Sequence, residues 1–211
     1  MTLDVCIDIS DNNTISDWSA VYASGIRVAM IKAMDGAGPT YRTWAAQSSG
    51  ARAAGIVVIP YLFMEPMDSA ENFIAETGLA ANDPYALDWE GRANQTAAPS
   101  DAEAIGVALS SVAQRPPLGY WGEPGSTPAQ PTAAMEGWDR WVPRYPQSPQ
   151  PANFAELTPG ALAKQPPGAL FWQYTSAGEV SGIDGPVDRS VWLGTEDELT
   201  AWLATGARPS P

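Results

Sequence analysis

Along the first half of the chain, short apolar runs alternate with stretches whose apolar positions recur at helical spacing. VCIDI (5–9) predicts a strand. TISDWSAVYASG (14–25) predicts a helix, with Thr14 or Ser16 near its N-cap and Gly25 closing it. RVAMIKA (27–33), IVVIPYLFM (56–64) and YALDWE (85–90) predict three further strands. Between them, TYRTWAAQSSGARAAG (40–55) and DSAENFIAETGLA (68–80) predict helices, the second opened by Asp68 and Ser69. SDAEAIGVALSSVAQ (100–114) predicts a fourth helix, with Ser100 as N-cap. Strands alternating with helices at this spacing imply βαβ units and parallel pairing.

The rhythm breaks in the second half. Twelve of the twenty prolines fall between Pro116 and Pro167, a density that prevents long helices. PLGYWG (117–122), RWVPRY (140–145) and ALFWQYTS (169–176) read as strands joined by loops. TEDELTAWLATG (195–206) reads as a closing helix, with Thr195 and Glu198 in a capping-box pattern. The expectation is one domain over residues 1–206, with ARPSP (207–211) as a frayed tail or linker stub.

Composition narrows the chemistry. The 211 residues are 45% hydrophobic, enough for one full core. A formal charge of -13 argues against nucleic-acid binding, which needs clustered Lys and Arg. Anionic membranes and wall polymers would also repel such a surface. The single cysteine, Cys6, excludes an internal disulfide and reads as a small buried hydrophobe in the first strand. There is no histidine, so a Ser-His-Asp triad, a Cys-His pair and an HExxH zinc site are all impossible. Hydrolytic chemistry must then rest on carboxylates, tyrosines or the substrate itself, and no metal or cofactor is expected.

Carboxylates stand at the ends of strand-like runs from both ends of the chain. They are Asp8 in VCIDIS, Asp88 and Glu90 in YALDWE, and Asp184 or Asp188 in GIDGPVD. Acids on strand ends suggest a barrel with a polar mouth, and a carboxylate cluster suits glycosidic bond cleavage. In a strand, Asp88 and Glu90 share a face with Cα atoms roughly 6.5 to 7 Å apart, while Leu87 and Trp89 take the other. Acids crowded in one mouth cannot all ionise, and a raised pKa is what a general acid needs. Glu90, with the longer reach, is the candidate proton donor. Asp88 is expected to stay ionised beside the developing positive charge.

From VCIDIS to VDRSVW the chain resembles glycoside hydrolase family 25, the Chalaropsis-type lysozymes or N-acetylmuramidases. CIDISDNNTISDWSAVYASGIRVAMIKAMDG is similar to the family's opening strand, helix and second strand, and GARAAGIVVIPYLFMEP to its third unit. YALDWE carries an Asp-x-Glu pair, and RWVPRY and FWQYTSAGEVSGIDGPVD match the closing strands. The resemblance implies an α/β fold, an irregular TIM-like (β/α) barrel whose last strands lack full helices. It also implies Glu90 as catalytic acid, with Asp88 orienting or polarising the substrate's 2-acetamido group. Asp8 and Asp188 would complete the acidic groove. Asp188 is preferred to Asp184 because it holds the family's VD position, which leaves Asp184 to shape the turn or face substrate. Tyr61, Tyr120, Trp141 and Gln173 would line the sugar site. Two positions depart from the family. Leu62 stands where a histidine usually follows the tyrosine, so a donor to the sugar is expected to be lost. Asp35 replaces a usual glutamate. Strand spacing alone leaves a retaining or an inverting outcome open.

The implied activity is cleavage of the β-1,4 bond between N-acetylmuramic acid and N-acetylglucosamine. The implied partner is bacterial cell-wall peptidoglycan, met by a monomer with neither nucleic acid nor membrane insertion. MTLDVCIDIS lacks a basic region followed by an apolar run, so no signal peptide is expected. That suggests a phage endolysin catalytic domain made in the cytoplasm and released to the wall by a holin-type factor. The competing classes are a non-catalytic glycan-binding or virion-associated barrel, favoured by Leu62, and a glycosidase acting on another N-acetylated polymer such as chitin.

Overall fold

The computed structural model describes residues 2–36, 42–90, 96–122 and 130–208. The first half runs β1 (Leu3–Ile9), β2 (Thr14–Ile15), α1 (Trp18–Ala23), β3 (Val28–Asp35), α2 (Trp44–Ala53), β4 (Val57–Phe63), α3 (Ala70–Thr77), β5 (Ala86–Asp88) and α4 (Pro99–Ala113). The second half runs β6 (Leu118–Tyr120), β7 (Asp139–Pro143), α5 (Pro159–Leu162), β8 (Phe171–Gly178), β9 (Ile183–Asp184), β10 (Val187–Trp192) and α6 (Glu196–Thr205).

Eight strands close a barrel in the order β1-β10-β8-β7-β6-β5-β4-β3. Pairing is parallel from β1 through β3 and round to β8, and β10 runs antiparallel to both β8 and β1. The expected α/β barrel is therefore present, with the irregularity in its second half. Among the described residues the only α-helix between β6 and β8 is the single turn α5.

Strand alternation divides the core into two layers. Ile7, Ile9, Ala29, Ile31, Val58, Leu87 and Trp89 face outward and pack with Val21, Phe73, Ile105 and Leu109 of the helices. Cys6, Val28, Met30, Ile59, Ala86, Leu118, Trp141, Phe171 and Trp192 form the inner core, which Leu199 and Trp202 of α6 join. Thr195 and Glu198 form the anticipated capping box at the start of α6. Trp202 Nε1 donates to the buried Asp139 Oδ2 at 2.7 Å.

Several local expectations are corrected. The N-cap of α1 is Asp17, whose carboxylate accepts from the amides of Ser19 and Ala20. Thr14 instead belongs to a small ribbon, paired with Asp184 of β9. Helix α4 starts at Pro99 after Ala98, so Ser100 lies inside the helix. Proline suits that first position because its missing N–H would have no helical acceptor there. Strand β5 ends at Asp88, although the Trp89 amide still donates to the Tyr120 carbonyl. Arg208 is anchored by Asp139, its Nε 2.6 Å from Oδ1, so the chain is held to that point. Residues 209–211 of the expected tail lie outside the described residues, as do 40 and 41 of the second predicted helix.

Candidate active site

The acids of the chain meet at one end of the barrel because the strands place them there. Asp8 lies near the C-terminal end of β1, and Asp88 ends β5. Strand β10 runs the other way, which brings its second residue, Asp188, to the same end and directly opposite Asp8 in the register. Lys32, Tyr61 and Tyr120 stand near the C-terminal ends of β3, β4 and β6. Glu90 follows β5 by two residues, and the Thr96 hydroxyl donates to its carbonyl, which ties the returning chain to it.

Gln173, on β8 and 1% exposed, organises the floor. Its Nε2 donates to both carboxylate oxygens of Asp8 (3.0 and 3.1 Å) and to Asp188 Oδ2 (3.3 Å). Its Oε1 accepts from the hydroxyls of Tyr120 (2.9 Å) and Tyr145 (2.7 Å). Burial and the surrounding acids push both phenols upward, so both remain donors. One amide thus links two acids on one side to two tyrosines on the other.

Two carboxylates facing each other across an antiparallel pair repel unless they share a proton. Burial pushes Asp8 well above the usual carboxylate range, the charge of Asp188 adds to this, and the Gln173 amide opposes it. Burial also raises Asp188, and a hydrogen bond from Asp8 counters that rise. Asp8 therefore holds the proton and Asp188 accepts it.

The second acid pair is Asp88 and Glu90. Burial, then Glu90, pushes Asp88 well above its ordinary value, and Lys32 pulls it back. Glu90 is raised by burial and by Asp188, again opposed by Lys32. Both acids are thus pushed toward protonation in the free protein. The deeper Asp88 is pushed further, because desolvation penalises its charge more. Asp88 Oδ1 is buried and has no hydrogen-bond partner among the described residues. A donor arriving at that oxygen would stabilise the Asp88 charge, and that charge would in turn favour a proton on Glu90.

The other expected residues separate into mouth and support. Tyr61 and Tyr120 border the acids, each making an edge-on contact with Trp141. Trp141 is 1% exposed and donates from Nε1 to Ser190 Oγ at 3.0 Å, so it supports the floor from below. Asp184 is exposed in the β2–β9 ribbon and is not among the charges acting on Asp8, Asp88 or Glu90. Leu62 points into the helix-facing layer and contributes nothing to the mouth, since alternation gives that side to Tyr61. Asp35 is at the mouth, with its Oδ2 2.5 Å from Lys32 Nζ. Sequence reasoning missed Lys32 and Tyr145. A lysine inside an apolar strand was a readable signal for the first. Nothing local marked Tyr145, whose role depends on contact with Gln173 of the neighbouring strand β8.

A model of the glycosyl hydrolases family 25 matches residues 7–183. The chain belongs to that family. Its membership makes it a glycoside hydrolase, and the acids described above lie on a family 25 barrel. A 41-residue stretch is 46% identical to the uncharacterized protein YegX of Escherichia coli, covering 19% of this chain and 15% of that protein's length. The bacterial lysozyme from Streptomyces coelicolor superimposes with a TM-score of 0.73 at 24% identity, over 98% of this chain and 97% of that one. The catalytic domain of an endolysin from bacteriophage P40 of Listeria monocytogenes does so with 0.66 at 16% identity, over 97% and 98%. At these identities the likeness is one of fold.

Proposed function

We propose that this family 25 chain is a 1,4-β-N-acetylmuramidase, cutting peptidoglycan between N-acetylmuramic acid and N-acetylglucosamine. The observation that carries the reading is the buried Oδ1 of Asp88, without a hydrogen-bond partner among the described residues, beside the half-buried Glu90. A 2-acetamido N–H offered to Asp88 would hold that carboxylate ionised, and its carbonyl oxygen would then be polarised toward the anomeric carbon. The proton displaced from the pair resides on Glu90, which donates it to the leaving oxygen. Asp8, Asp188 and Gln173 keep the floor ordered, and Tyr61 and Tyr120 supply faces for sugar rings. The likeness to an endolysin catalytic domain favours a phage-lysis setting, with the enzyme made in the cytoplasm, released by a holin-type factor and acting as a monomer.

The test is digestion of purified peptidoglycan by the wild type and by Glu90→Gln, with mass spectrometry of the soluble fragments. Fragments ending in reducing N-acetylmuramic acid are expected from the wild type, with the rate falling about 100-fold or more in the variant. Reducing N-acetylglucosamine ends would reassign the bond that is cut. Retained wall binding with no fragments from either protein would replace the enzyme by a glycan-binding barrel.

A further inference from the structure

Lys32 is a buried cation among acids, and the chain takes an unusual course to hold it. Its neighbour in the ladder is Tyr61, while Met34 pairs with Leu62, so β3 spends two residues where β4 spends one. Lys32 and Asp35 are three apart, and in a regular strand they would point to opposite faces. The extra residue restores the parity. Asp35 pairs with Phe63, two residues beyond Tyr61, and so shares the inner face with Lys32. The result is the 2.5 Å ion pair.

The lysine's Nζ also lies 4.3 Å from the centroid of the Phe63 ring, and Phe63 is in register with Asp88. The ammonium is thereby held over the residue that lies between Asp35 and Asp88. The groups facing it are Asp35 from its own strand, Asp88 and Glu90 from β5 and the residues after it, and Glu65 following β4. Asp8 lies on the adjacent strand β1, paired with Met30 two residues before Lys32, and Asp188 lies one strand further, on β10. Glu65 is pushed upward by burial, by the charge of Asp35 and by a hydrogen bond with it, against the pull of Lys32.

We propose that the Lys32–Asp35 ion pair, formed by the β3 bulge, is a positioning unit that sets the charge state of the Asp88–Glu90 pair. This rests on the muramidase reading above. Lys32 alone would draw both acids toward ionisation and leave no proton to donate. Asp35, at 2.5 Å, cancels part of that charge. The pair as a unit gives an intermediate field, in which Asp88 ionises on binding substrate while Glu90 keeps its proton.

The two partners should act in opposite directions, an outcome that a purely structural salt bridge would not produce. In Lys32→Met the bell-shaped pH profile of kcat/KM should move to higher pH by about one unit, because both acids lose an opposing cation. In Asp35→Asn it should move to lower pH, because the cation is uncancelled and a like charge is gone. Lys32→Arg should restore the profile, with the residual loss in kcat. Carboxyl titration by carbon-13 NMR of the free protein reads the same shifts without any turnover, so it stands even if peptidoglycan is not the substrate. Shifts in the same direction, or profiles and carboxyl titrations unchanged in folded Lys32→Met and Asp35→Asn proteins, would overturn the proposal.

Discussion

Gln173 is the residue on which the site's geometry turns. It uses both ends of its amide, and no other side chain can donate to two acids while accepting from two phenols in the same volume. Gln173→Leu should leave Asp8 and Asp188 without a shared donor, and the hydroxyls of the buried Tyr120 and the more exposed Tyr145 without their common acceptor. A loss of about 100-fold in kcat is expected in the peptidoglycan assay. The unfolding temperature should fall as well, since each orphaned buried polar group costs about 1–3 kcal/mol. Asp68 makes a different prediction. Its carboxyl is raised to about 7, by burial first and then by Glu65 and Asp35, against the Glu65 amide that it accepts from. A carboxyl whose folded pKa lies above its unfolded value stabilises the fold at low pH, and that stability is lost as pH rises. The loss should fall between about 4, the unfolded value, and the folded value. Thermal melts across that window should decline less steeply in Asp68→Asn, whose carbonyl oxygen can still accept from Glu65.

Helix α4 shows packing overriding propensity. Gly106 lies inside it, where alanine would be favoured by about 1 kcal/mol. A Cβ at that position would lie 2.3 Å from Trp138 Cζ2, and Trp138 is itself wedged against Trp121. Displacing a buried indole costs typically about 1–3 kcal/mol, more than the propensity gains. Gly106→Ala should therefore lower the denaturation midpoint, measured by urea titration. The β3 bulge follows the same logic. One extra residue weakens a strand locally, and persists because it puts two charges on the same face.

The molecule as a whole is strongly acidic, with a formal charge of -13, while its proposed target carries anionic polymers. Repulsion of this kind acts at long range and is screened within about 10 Å at 0.1 M salt. Activity on intact walls should therefore rise with moderate salt. Activity on a short soluble glycan should not, and paired turbidity and oligosaccharide assays would separate the two. The barrel itself is closed by an antiparallel strand. That reversal puts Asp188 at the same end as Asp8, where an eighth parallel strand would have carried its second residue to the opposite end.

The elements of the first half were legible because periodicity is a local property. Alternation in YALDWE already set Asp88 and Glu90 on the face opposite Leu87 and Trp89, which face the helices. Proline density likewise announced loops in place of helices. The absence of histidine by itself excluded whole reaction classes. Other features depend on neighbours distant in the chain. The cap of α1 passed to Asp17 once Thr14 was taken by Asp184. Trp141 became a support and Leu62 a core residue because each strand's register sets which face is polar. Tyr145 and Lys32 joined the site through contacts with Gln173 and Asp35 that no spacing encodes. Composition and period determine which residues can turn inward. Which of them meet, and which acid holds the proton, depends on the closure of the barrel, because desolvation and Coulomb forces act through distances that exist only in the folded chain.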